Sequence, residues 1–251
     1  MPTNFPTNPD SYTTKVDGVD NVMAAHVNDL QDAMMAVEDF ALDLRDGWCY
    51  DTDTWTCVDA TSFKIAGKDV CYRFPKGTKI KLVQSGSTKY FYVIATAYST
   101  DTTVTITGGS DYTLASATIS GQAYSYAAAP QGFPQCFNYT PTYRLGWSEV
   151  PAGIYRFVLT GSLCTYIINM TAGTSNSADA RIGAPIVAAS GMNYIGAWGL
   201  AYNNGTALAG GGRWLVLSGE SYVRFYSDFA SGGWTASGSK YVSAIISYLI
   251  Q

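Results

Sequence analysis

A single histidine, His26, stands in 251 residues, and only 14% of the chain is charged. An average soluble domain carries roughly 25% charged residues, so this composition does not suit a helical enzyme. A Ser-His-Asp or Cys-His catalytic site would have to use His26, which falls on a predicted helix and reads as a surface or seam-flanking residue. Mixed His/Cys zinc sites are excluded by count. The five cysteines, Cys49, Cys57, Cys71, Cys136 and Cys164, are irregularly spaced with no C-x-x-C. They read as buried free thiols of a reducing compartment; a Cys57–Cys71 bridge is the alternative and requires close Cα atoms. There is no G-x-x-x-x-G-K-[ST], and Gly210-Gly211-Gly212 lacks the lysine and following helix of a phosphate cradle. There is no calcium-loop pattern either. The sequence therefore calls for no catalytic residue, no cofactor and no metal.

Net charge is -4 without a Lys/Arg stripe, which leaves nucleic acid no electrostatic footprint. No apolar run approaches the roughly 20 residues of a membrane helix, so no membrane insertion is expected. The opening Met1-Pro2-Thr3-Asn4-Phe5-Pro6 lacks the basic region and apolar core of a secretory signal, and assembly in a cytoplasm is expected. Three N-x-T sequons, at Asn138, Asn169 and Asn204, then read as chance.

What is abundant is tyrosine (19), glycine (25) and tryptophan (6), among many Thr and Ser. These suit pleated strands joined by tight turns. Residues 1–19 are polar and aperiodic, an extended docking arm or a disordered tail. Asp20 or Asn21 is a predicted N-cap. Then Met23, Val27, Leu30, Met34, Val37, Ala41 and Leu44 recur at spacings of 4 and 3, a heptad seam over residues 20–47. Arg45 and Gly47 close it, as the helix dipole and a C′ glycine favour. Two readings stand: an amphipathic helix packed on its own domain, and an intermolecular coiled coil. The strictness of the seam and its place between a polar arm and a β body favour the coiled coil. Phe40, Ala33 and Met35 widen the apolar face toward three strands.

From Trp48 the helical period disappears. Residues 48–130 read as a small β-barrel or sandwich module. Its strands include Val70–Phe74, Lys79–Val83, Lys89–Ile94, Thr102–Ile106 and Ala117–Ile119, punctuated by Pro75-Lys76-Gly77 and Gln84-Ser85-Gly86-Ser87. Ala127–Pro134 reads as a linker. Residues 131–251 read as a jelly-roll-like β-sandwich, with strands at Ile154–Leu159, Leu163–Ile168, Arg213–Leu217, Tyr222–Tyr226 and Tyr241–Ile250. The last is apolar on both faces and is expected to be covered on both, the second time by neighbouring subunits.

The stretches Asn4-Phe5-Pro6-Thr7, Ser11–Asp20 and Met23–Ala33 resemble the N-terminal segment of bacteriophage fibre proteins. Lys76–Leu82 and Lys89–Val93 resemble a β module of the same proteins, and Gly232–Lys240 with the final strand resembles their C-terminal head. The resemblance implies a virion protein and homotrimer, bound to other phage virion proteins through residues 1–19, with its head outward. It implies no catalytic residue.

Function then turns on surface loops. Tyr202, Asn203, Asn204, Asp228 and Trp234 combine aromatics with amides and a carboxylate, the chemistry that stacks on sugar rings and binds hydroxyls, so they are candidate contacts for a host cell-surface glycan. The competing reading makes Tyr202 and Trp234 core or interface residues. A tail fibre that binds host glycan is the leading expectation, and a capsid head-fibre or decoration protein without a receptor role is the alternative. A polysaccharide-degrading enzyme ranks below both, because the C-terminal unit offers only Glu149, Asp179, Glu220 and Asp228 as acids.

Overall fold

The computed structural model describes residues 24–251. The arm at residues 1–19, the predicted N-cap and Met23 lie outside the described residues. The chain is mainly β, with one α-helix among the described residues.

Helix α1 spans Ala24–Arg45. Gly47 follows at φ +77, the left-handed conformation of a C′ residue. A Cβ there would lie 3.1 Å from Pro130 Cα.

Seven strands form the first sheet: β1 (Cys49–Tyr50), β2 (Trp55–Asp59), β3 (Ser62–Ile65), β4 (Lys79–Gln84), β5 (Ser87–Tyr98), β6 (Thr102–Thr107) and β7 (Ser120–Ser125). Their order is β1-β7-β4-β5-β6-β3-β2, antiparallel throughout. Register shifts at Cys57/Asp59, Lys81/Val83 and Val93/Ala95 bend the strands, and the sheet curls over one core. In β4 the alternation is strict: Ile80, Leu82 and Gln84 are buried and Lys79, Lys81 and Val83 face outward. Trp55 stacks on Phe63 at 4.3 Å, and Phe74 meets both edge-on.

Two predicted strands of this module are not strands. Residues Cys71–Arg73 form a 3₁₀ turn. Only Val70 and Phe74 are buried there, four residues apart and not two, which is a helical spacing. Thr102 Oγ1 accepts from Val70 N–H at 3.0 Å and donates to Lys68 O at 2.6 Å, replacing a ladder partner. Residues Ala117–Ile119 are an irregular run before β7. The buried Gln84 side chain takes over their hydrogen bonding, donating Nε2 to Ala115 O and Ala117 O, each at 2.9 Å.

Twelve further strands build the second body: β8 (Phe137–Asn138), β9 (Arg144–Leu145), β10 (Gly153–Thr160), β11 (Leu163–Met170), β12 (Gly173–Thr174), β13 (Arg181–Gly183), β14 (Tyr194–Ala197), β15 (Leu200–Asn203), β16 (Thr206–Ala207), β17 (Arg213–Val216), β18 (Tyr222–Tyr226) and β19 (Ser239–Leu249). One antiparallel sheet runs β16-β15-β19-β11-β10-β8, with β12 also on β19, and the other runs β14-β17-β18-β13-β9. Tyr155, Phe157, Tyr166, Ile168, Ile246 and Tyr248 of the first share one buried cluster with Ile182, Trp214, Val216, Val223 and Phe225 of the second. Two sheets closing on one core is a sandwich arrangement. In this single chain β19 is covered on one face only: Val242, Ala244, Ile246 and Tyr248 are buried while Ile245 is 65% exposed.

The predicted linker is packed. Pro130 is buried, Gln131 N–H donates to Asp46 O at 2.8 Å, and Gln131 O accepts from Trp48 Nε1 at 2.8 Å. Phe133 meets Trp48, Tyr90, Tyr92 and Phe137, and Phe137 reaches Phe157 of the second core. Beside it, Asn138 donates its N–H and its Nδ2 to the Asp111 carboxylate, both at 2.8 Å. The two β bodies therefore share an aromatic wall. The apolar residues in the stretch serve that wall, and the Ala, Pro and Gly give it the irregular path.

The second core also holds a cation. Lys240 is fully buried, its Nζ donates to Ser177 O at 2.7 Å and Asp179 O at 2.5 Å, and it lies 5.1 Å from the Trp147 ring centroid. Burial pushes this ammonium down to about 8, against the pull of Asp179. Its neutral form keeps two N–H groups, enough for both carbonyls. The unfolded lysine stays protonated to about pH 10.4, so above pH 8 the unfolded state binds more protons and stability rises with pH. Below pH 8 both states are protonated and the term is flat. Chemical denaturation from pH 7.5 to 9.5 is expected to show wild type gaining on Lys240→Met by about 1 kcal/mol per pH unit. A constant difference would mean that Lys240 keeps its ordinary pKa.

Candidate functional site

Three regions qualify for a role beyond folding: the helix seam, the loops of the second body, and a cleft between the bodies.

The seam is uncovered in the single chain. Val27, Leu30, Met34 and Val37 are 45–57% exposed, and Ala41 is exposed as well. Of the other two predicted members, Met23 lies outside the described residues and the Leu44 side chain is likewise not described. A helix packed on its own domain would bury this stripe. Among the described residues the body meets the end of the helix at Asp46, Gly47 and Trp48.

The candidate sugar contacts differ in exposure and in their partners. Trp234 is buried and its Nε1 donates to Phe225 O at 2.8 Å, so it belongs to the core and is withdrawn from the exposed surface. Tyr202 is half-buried and stacks on Tyr241 at 4.6 Å across β15 and β19. Asn203 Oδ1 accepts from Thr235 N–H at 2.9 Å. Asn204, at φ +50, and Gly205, at φ +75, form the two-residue turn between β15 and β16. Asp228 Oδ1 accepts from Gly232 N–H at 2.7 Å and holds its own loop closed. Tyr202, Asn203 and Asn204 follow one another on β15 and its turn, and Asn203 reaches the residue after Trp234.

The acids of this body are likewise engaged singly. Asp179 pairs with Arg181 at 3.0 Å, and Glu220 pairs with Arg224. Burial alone would raise the Glu220 carboxyl, but hydrogen bonds from Arg224 and Tyr222 hold it below its ordinary value. Among the described residues no three His, Cys, Asp or Glu side chains gather as a metal site. Cys57 and Cys71 are free thiols, so they are not bridged; burial pushes both up.

The third region is a cleft of about 530 Å³ between the two bodies. One wall is the turn Pro75-Lys76-Gly77-Thr78, closed by Thr78 N–H donating to Pro75 O at 3.1 Å. The opposite wall is the end of β10 and the following turn, Val158–Gly161, and the roof is Tyr126, Ala128, Phe133 and Gln135. Gly77, at φ +82, makes the approach possible, because a Cβ there would lie 2.4 Å from Gly161 O. Thr78 is 3% exposed and its Oγ1 is buried without a hydrogen-bond partner among the described residues. Lys79 Nζ donates to Ala127 O at 2.8 Å and sits 5.7 Å from the Phe133 ring centroid. Burial lowers the Lys79 pKa.

No known family, curated protein or solved structure matches this chain.

The cleft was not visible in the sequence. Its lining comes from four separated stretches, Pro75–Lys79, Tyr92, Tyr126–Gln135 and Val158–Gly161, and Pro75-Lys76-Gly77 carries a turn signal that says nothing of what faces it. The one local sign is Lys79, at the start of a strand whose Thr78 neighbour is fully enclosed.

Proposed function

We infer that the chain is a structural bacteriophage fibre protein, a homotrimer attached to the virion through residues 1–19 and contributing through its head to host-surface glycan binding. The observation that carries this reading is the exposed heptad seam of α1. An apolar stripe of this regularity on a helix that its own body leaves uncovered is stabilised by identical helices. The outer face of the β10-β11-β19 sheet supports the same reading. Leu163 lies opposite Leu249 and Ile167 opposite Ile245, and Ile154, Leu163, Ile245 and Leu249 are exposed. Across β10, β11, β15 and β19 the only outward charge is Arg156. Neighbouring subunits of a jelly-roll-like head would cover this face, and the charge-poor composition of the whole chain fits a protein that is mostly interface.

Light scattering on the full chain is expected to give three times the 27.0 kDa of one chain. A monomer overturns the reading. Immunogold labelling of particles then places the protein: gold at tail tips fits the receptor-binding role, and gold on heads favours the decoration protein.

A further inference from the structure

The cleft between the β bodies has the chemistry of a ligand site distinct from the head loops. Lys76 and Lys79 both line it, no carboxylate does, and neither lysine makes an ion pair among the described residues. Two uncompensated cations at one concavity, in a chain of net charge -4, select for an anion. Thr78 Oγ1 lies buried behind the wall, out of reach of a molecule in the cleft. The exposed Gln135 amide stands at the rim, and the exposed Tyr126 ring offers an apolar face. A ligand matching all of these has a flat apolar face, several hydroxyls and a negative group. A pyranose bearing a carboxylate fits that description, and the volume suits a short stretch of such a chain. Lysines take a carboxylate or a phosphate alike, so the titration below includes a phosphate ester.

We propose that this cleft binds an acidic saccharide, with Lys76 and Lys79 taking the sugar carboxylate, Gln135 a hydroxyl, and the exposed Tyr126 ring the sugar face. The lowered pKa of Lys79 comes from burial, which leaves its ammonium partly desolvated beside the cleft. The choice of ligand rests on the glycan-binding part of the proposed function. Trimer mass and glycan titration are separate measurements, so either can fail alone.

The test is calorimetric titration of the full chain with tetragalacturonic acid, its methyl ester, sodium sulfate and adenosine monophosphate. The acid is expected to bind and the ester to bind at least ~10-fold more weakly, as loss of charge-assisted hydrogen bonds implies. Lys79→Gln and Lys76→Gln are each expected to weaken the acid ~10-fold. Lys76 is exposed and has no hydrogen bond or ion pair among the described residues, so that variant folds as wild type and keeps the test valid if Lys79→Gln does not. Equal binding of acid and ester removes the role of the lysines. Sulfate binding as well as the acid reduces the site to an anion site, tighter adenosine monophosphate makes it a nucleotide site, and no binding of the acid ends the proposal.

Discussion

Leu30→Asp is expected to convert a peptide of residues 1–47 from a reversible trimer to a monomer, read by sedimentation equilibrium. Leu30 occupies a d position and is 55% exposed in the single chain, so the substitution costs the lone helix little. In a three-helix seam it places one carboxylate per chain among apolar side chains. Burying an unpaired polar group costs about 2–7 kcal/mol, and a charge more. A seam of three heptads has little surplus, because short helices are marginal without their partners. Helicity is expected to fall with the association. Asn28→Asp, one position off the seam, adds the same charge to an exposed site and is expected to leave the mass unchanged. Lowering the pH below the carboxylate range should restore part of the Leu30→Asp association, because the protonated acid is cheaper to bury. Equal masses for wild type and Leu30→Asp would remove the seam as the subunit contact.

Gly109→Ala is the second substitution with a large expected effect, this time on stability. Gly109 lies at φ +61 beside the wall shared by the two bodies, and a Cβ there would be 2.0 Å from Asn138 O and 3.0 Å from Phe157 Cε1. The backbone of β8 would have to move, and with it the Asp111–Asn138 hydrogen bonds and the Phe137–Phe157 contact. Left-handed backbone strain plus overpacking costs about 3 kcal/mol, a drop in Tm of roughly 6–12 °C for a chain of this size. Gly86→Ala is the matched control. Gly86 has φ +77, but a Cβ added there would meet nothing within 4 Å, so only the backbone contribution of about 1 kcal/mol applies. If the two variants melt together, the wall between the bodies is looser than its geometry implies.

How much of this was legible in the sequence depended on whether the deciding contact was local. The helix was legible because its stripe and its Gly47 stop are periodic and adjacent. So were β4, β6, β10, β11, β17, β18 and β19, whose buried residues alternate along much of their length, and β5, whose apolar run Phe91-Tyr92-Val93 is buried throughout. Val70–Phe74 was misread because β-rich residue types concealed a four-residue burial spacing set by the Thr102 hydroxyl, distant in sequence. Ala117–Ile119 failed for the same reason, its partner being the side chain of Gln84. Trp234 followed a glycine-rich run that looked like an exposed loop, yet Phe225 O on β18 draws the indole inward. Short strands such as β8, β9 and β12 carry too few residues for any period to show. The cleft depends on Gly77 meeting Gly161, a coincidence of two turns that nothing within either turn announces.

The end of α1 meets the body at an unusual place. Asp46 O and Trp48 Nε1 both bond to Gln131, and Trp48 lies beside Tyr90 and Phe133. A pull along the helix therefore enters the molecule at the join between the bodies, and not at the far edge of either. Tension is divided there: toward β5 through Tyr90 and Tyr92, and toward β10 through Phe137 and Phe157. The aromatic wall thus couples the two bodies at the point where the helix enters them.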